Sequence, residues 1–116
     1  MLIDTHSHFG LVPMVEKPEE ILARARTQNV LSGIITTGSA RDFDLARNRA
    51  YQFGWGYTVG IHPLYVSESS EHDLELLSDY LERYHDDERL VGIGEIGLDR
   101  FGSVNNVERQ EYFFKV

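Results

Sequence analysis

Apolar positions in this chain fall in short runs separated by amphipathic stretches. Residues 2–5 (LIDT), 30–37 (VLSGIITT), 56–61 (GYTVGI) and 89–96 (RLVGIGEI) are apolar runs without strict polar alternation. Runs of that kind suit strands of a parallel sheet buried on both faces. Between them the spacing becomes helical. Pro18 followed by Glu19 and Glu20 makes a favourable first turn, and Ile21, Leu22 and Ala25 share one face. Ser39 precedes Asp42 by three residues and Ser70 precedes Asp73 by three, so each pair resembles a capping box. Leu74, Leu77, Leu81 and Tyr84 then form a core stripe, and residues 107–116 (VERQEYFFKV) predict a further helix. The order βαβαβαβα predicts right-handed crossovers in a single α/β unit over residues 1–116, with no linker or internal repeat.

Composition narrows the class. At 116 residues, 41% hydrophobic and 26% charged, the chain is one globular unit and has the composition of neither a disordered nor a fibrous protein. No apolar run approaches the ~20 residues that span a bilayer, and Met1-Leu-Ile-Asp-Thr-His does not open like a signal peptide. Cysteine is absent, which excludes disulfides and thiolate metal sites. Together these predict a cytoplasmic protein with no membrane partner. The net charge of −8 opposes broad, charge-driven nucleic-acid binding, yet leaves room for a site where a metal ion faces a phosphate.

The chemistry collects where the predicted strands end. His6 and His8 lie two apart, so on a strand both rings project to one side, as a divalent metal requires; a surface pair is the alternative. "GIHP" places His62 where the third strand leaves the sheet, either reaching the same pocket as His6 and His8 or hydrogen-bonded within its own turn. "GIGEIGLD" (92–99) contains G-x-G-x-x-G, but Gly92 and Gly94 fall inside the strand and only 19 residues follow Gly97, too few for a dinucleotide-binding unit. Those glycines instead admit a close approach to the backbone. Glu95, between Gly94 and Ile96, is costly in an apolar strand unless paired or bound to metal. Two imidazoles and a carboxylate suit a catalytic ion, and a carboxylate can bridge two. Asp99 either orients a histidine or contacts substrate, or else caps its loop.

These landmarks, in this order, resemble the TatD family of metal-dependent hydrolases within the amidohydrolase-like barrels. "LIDTHSH" is similar to that family's D-T-H-C-H, "VGIHP" to its G-x-H-P and "VGIGEIGLD" to its most distinctive signature, while "ERQEYFF" matches the helix that follows. Ser7 stands where the family has cysteine. The resemblance implies the first four strands of a TIM-type (β/α)8 barrel, and hydrolysis of phosphodiesters, DNA among them, by metal-activated water. It implies a metal site with two divalent ions, Zn, Mn or Mg: His6 and His8 on one ion, Glu95 on both. His62 and Asp99 then face the substrate. The family's remaining ligands, two histidines and an aspartate, come from later strands. A full barrel takes about 250 residues, so 116 residues make half of one. The acid that positions the attacking water is then expected on a strand this chain lacks. A half-barrel exposes two sheet edges, which predicts self-association. The alternative is a non-catalytic half-barrel fragment or interaction module.

Overall fold

The structure is a computed structural model that describes residues 1–101 and 106–116. Strands β1 (Leu2–Ser7), β2 (Val30–Ile35), β3 (Gly56–Val59) and β4 (Leu90–Ile93) alternate with helices α1 (Pro18–Thr27), α2 (Phe43–Phe53), α3 (Glu71–Arg83) and α4 (Val107–Lys115). The strands form one sheet in the order β1-β2-β3-β4, every neighbouring pair parallel. The predicted alternation of strand and helix is thus observed throughout. Of the stretch LDRFGSVNN that precedes α4, residues 102–105 lie outside the described part. No helix among the described residues is long and apolar enough to cross a membrane.

The expectation of strands buried on both faces is corrected. Burial alternates along β2 and β3, where Ile35, Tyr57 and Val59 are buried, while β1 and β4 are largely exposed. The reason is topological: helices cover one side of the sheet, and each outer strand has a single neighbour. The core is correspondingly one-sided. Ile35, Tyr57 and Val59 pack with Phe43, Ala46, Ala50 and Phe53 of α2 and with Trp55. The two alanines lie four apart on the helix face and keep its surface thin enough to approach the strands. Gly33 is required in β2 because a Cβ there would stand 2.5 Å from the Trp55 ring.

Local signals explain most element ends. Pro18 opens α1 with Glu19 and Glu20 in its first turn, as read from the sequence. The Asp73 carboxylate accepts from the Ser70 backbone N–H at 2.6 Å and from its hydroxyl at 3.0 Å, so the second capping box forms. The first does not. Ser39 makes no side-chain cap; the chain takes a 3-10 turn over Ala40–Asp42, and Asp42 N–H donates to the Ser39 carbonyl at 3.0 Å. A backbone bond thereby takes the place of the side-chain cap.

At the end of the sheet where β3 and β4 begin, a buried charge ties elements together. The Asp87 carboxylate accepts from Arg47 Nε at 2.9 Å, Tyr51 OH at 2.9 Å, Tyr57 OH at 3.0 Å and the Arg89 backbone N–H at 3.0 Å. Burial resists its ionisation, but the Arg89 amide, the two tyrosine hydroxyls and Arg47 outweigh that and hold the carboxyl below the usual carboxylate range.

The opposite end differs from the sequence expectation in a way that matters for function. The strands predicted to end at residues 37, 61 and 96 stop at Ile35, Val59 and Ile93. Three polar, glycine-containing segments therefore leave the sheet side by side at its carboxyl edge.

Candidate metal centre

His6 is near the end of β1 and His8 follows its last residue, and their ring centroids lie 5.4 Å apart. Glu95 comes from the segment after β4, two residues past the strand rather than inside it, which corrects the expectation of a glutamate within a buried strand. Its Oε1 stands 3.0 Å from His6 Nε2 and its Oε2 3.9 Å from His8 Nε2. One ligand atom from each of the three lies within 4.8 Å of the others. Among the described residues, this is the group of His, Asp and Glu side chains positioned to hold a metal ion.

Backbone carbonyls at the end of β2 build the cluster. Thr36 O accepts from His8 Nδ1 at 3.0 Å, Thr37 O accepts from the Glu95 N–H at 2.7 Å, and Gly38 O accepts from the His62 N–H at 2.9 Å. Three consecutive carbonyls thus fix three residues from three different segments. The first bond also sets chemistry. With its Nδ1 proton committed to Thr36, His8 carries its lone pair on Nε2, facing Glu95. Thr58 adds a brace, its hydroxyl donating to the Gly94 carbonyl at 2.8 Å, and Gly94 N–H donates to Val59 O at 2.8 Å.

The close backbone approach expected at Gly92 and Gly94 lies instead at Gly60. A Cβ on Gly60 would stand 2.5 Å from Gly94 C and 2.6 Å from Glu95 O, whereas one on Gly94 would find its nearest neighbour at 3.8 Å. Sequence reasoning missed Gly60, and it missed Thr36, Thr37 and Thr58. The available signal was the polar tail TTG after an apolar run, in which Thr36 and Thr37 are buried.

His62 is held by its own turn and also faces the site. Its Nδ1 accepts from the Leu64 N–H at 3.1 Å, at the start of the 3-10 turn Pro63–Tyr65. That bond places the ring proton on Nε2, making His62 a hydrogen-bond donor and not a metal ligand. Asp99 closes its loop: its Oδ1 accepts from the Phe101 N–H at 2.7 Å, and its backbone pairs with the buried Gln110 side chain at 2.8 and 2.9 Å. Gln110 was not anticipated either. His6, His62, Glu95 and Asp99 border one cavity of about 520 Å³, and His8, His62 and Glu95 border a second of about 550 Å³.

Two imidazoles and a carboxylate, with one imidazole backed by a carbonyl, form a donor set that fits a divalent ion. A nitrogen and oxygen set without thiolate accepts Zn, Mn and, less readily, Mg.

Comparison with known proteins gives a consistent result. A family model described as TatD related DNase matches residues 3–116. The chain is 37% identical over 112 residues to an uncharacterised metal-dependent hydrolase, YjjV, of Escherichia coli K12, which covers 95% of this chain and 42% of that protein. It is 33% identical to a 3'-5' ssDNA/RNA exonuclease TatD of a Pantoea species, covering 83% of this chain and 36% of that one. The crystal structure of E. coli YjjV superposes with a TM-score of 0.83 at 36% identity, over 97% of this chain and 43% of that chain. A TatD family hydrolase structure from Entamoeba histolytica gives 0.75 at 26% identity with the same coverage. The chain therefore spans about two fifths of the length of the relatives it matches.

Proposed function

The chain belongs to the TatD-related DNase family, and from that premise we propose that it is a divalent-metal-dependent hydrolase of phosphodiesters, with single-stranded nucleic acid as the substrate class. The observation that carries this reading is the convergence of His6 Nε2, His8 Nε2 and the Glu95 carboxylate within 4.8 Å. The name of the Pantoea relative supports the substrate class.

In this reading His6 and His8 would hold one divalent metal ion and Glu95 would be available to it and to a second ion. A divalent ion supplies Lewis acidity toward a phosphoryl oxygen and lowers the pKa of water. The remaining work belongs to the chain. Thr36 O keeps the His8 lone pair on Nε2, and Thr37 O keeps Glu95 beside the histidines. His62 donates from Nε2–H to a non-bridging phosphate oxygen, a contact that strengthens as negative charge builds there. Asp99 borders the substrate side of the smaller cavity.

The test is metal content and cleavage of single-stranded oligonucleotides on one purified sample, with and without chelator. Bound divalent metal with chelator-sensitive cleavage is the expected outcome, and both should disappear in the His6→Ala, His8→Ala double variant. Metal retained by that variant would refute the ligand assignment. A second reading has its own support, since the chain matches 42% of the length of the E. coli relative: a unit that holds metal through three ligands without turning substrate over. Metal binding with no cleavage would favour it.

A further inference from the structure

The larger cavity, about 550 Å³, has walls that the proposed hydrolysis does not use. Val12 follows β1, Arg41 follows β2 and Tyr65 follows β3, so three different loops at the carboxyl edge of the sheet close around it. Its floor is His8, His62 and Glu95. The volume lies within the range of about 300–1,000 Å³ of small-ligand sites. Two features of the wall stand out.

The first is apolar surface left in water beside charged chemistry. Val12 is 60% exposed and Tyr65 41% exposed. The Tyr65 ring is nevertheless set in place. Its N–H donates to the His62 carbonyl at 2.8 Å, its ring centroid is 5.7 Å from that of His62, and a Cβ on Gly38 would come within 3.1 Å of it. The turn that orients His62 therefore also orients an aromatic face. The second feature is Arg41, the cation of this wall. Its Nε is 3.9 Å from the carboxylate of Asp42, which lines the same cavity, a loose ion pair that leaves the Arg41 side chain 72% exposed.

We propose that this cavity is a nucleotide subsite for a single strand, in which a base stacks on Tyr65 against Val12 and Arg41 binds that nucleotide's phosphate. The assignment rests on the reading of the adjacent His6–His8–Glu95 cluster as a phosphodiester hydrolase, and it adds the residues that select the substrate. An aromatic face accepts any base, but a base enters such a cavity only when unpaired and unstacked. A net charge of −8 opposes broad, charge-driven attraction of a duplex. A stacking face and the Arg41 guanidinium, beside the Asp42 and Glu95 carboxylates, are the recognition this surface offers.

The experiment is fluorescence anisotropy in Mn²⁺ with a labelled single-stranded phosphorothioate oligonucleotide and its abasic counterpart. The native chain should prefer the base-bearing strand by roughly 5- to 100-fold, the range expected for one stacked base. Tyr65→Phe should keep that preference and Tyr65→Ala should abolish it. Arg41→Gln should flatten the dependence of log affinity on log salt by about 0.7, the share of one single-strand phosphate. Equal binding of the two strands by the native chain, or a preference that survives Tyr65→Ala, would overturn the subsite. Failure of the hydrolase reading looks different: base-dependent binding would persist while the ordinary phosphodiester strand remained uncut.

Discussion

Gly60 carries no functional group, yet it decides where Glu95 stands, because the backbone at Gly94 and Glu95 occupies the space a Cβ would need. Gly60→Ala should therefore displace Glu95 without altering any ligand. We expect metal affinity to fall by roughly 10- to 100-fold, as for other supporting residues of metal sites, measured by competition with a chelating dye. Unchanged affinity would mean that the Glu95 backbone is free to move. The members of the candidate cluster were legible in the sequence. H-x-H on a strand and a glutamate set in an apolar run are side-chain signals, and the structure brings His6, His8 and Glu95 together. The carbonyls of Thr36, Thr37 and Gly38 were not legible, because every residue has a carbonyl and its use depends on what passes beside it.

Among the elements, β3 and β4 are joined at their starts by Asp87 as well as by the ladder. The Asp87 side chain is 4% exposed and satisfies two hydroxyls, a guanidinium and an amide. Asp87→Ala leaves these donors without their acceptor, at a cost of roughly 2–4 kcal/mol. The expected fall in Tm is on the order of 10 °C or more, measured by thermal unfolding at neutral pH. The effect should depend on acid. The folded-state pKa of Asp87 lies below its unfolded value of about 3.9. Its contribution is therefore complete above that value and declines as pH falls toward the folded pKa. The Tm difference between native and Asp87→Ala chains should accordingly stay constant from neutral pH to about 5 and narrow below about 4. A gap that widened in acid would contradict the assignment. None of this was visible in the sequence, where Asp87 is one of several acids before a strand.

For the whole molecule, the four strands among the described residues form an open sheet with β1 and β4 at its edges. The four βα repeats are those of a TIM-type barrel, and β1 and β4 each have one hydrogen-bonded neighbour. Leu2, Ile3, Val91 and Ile93 on these outer strands are exposed. Open edges with apolar side chains template further pairing, so sedimentation should show species larger than one chain, reduced by Val91→Lys with Ile93→Lys. A monomer at every concentration would remove the expectation of self-association. The sequence by itself determined the alternation of strands and helices, the family and the three side chains of the candidate metal cluster. Each of these is written in local periodicity or in side-chain identity. Tertiary structure alone decided which faces are buried, where the strands stop, which glycine makes room for Glu95 and which carbonyls fix the site. Those depend on what lies beside a residue in space, and 87 positions separate His8 from Glu95.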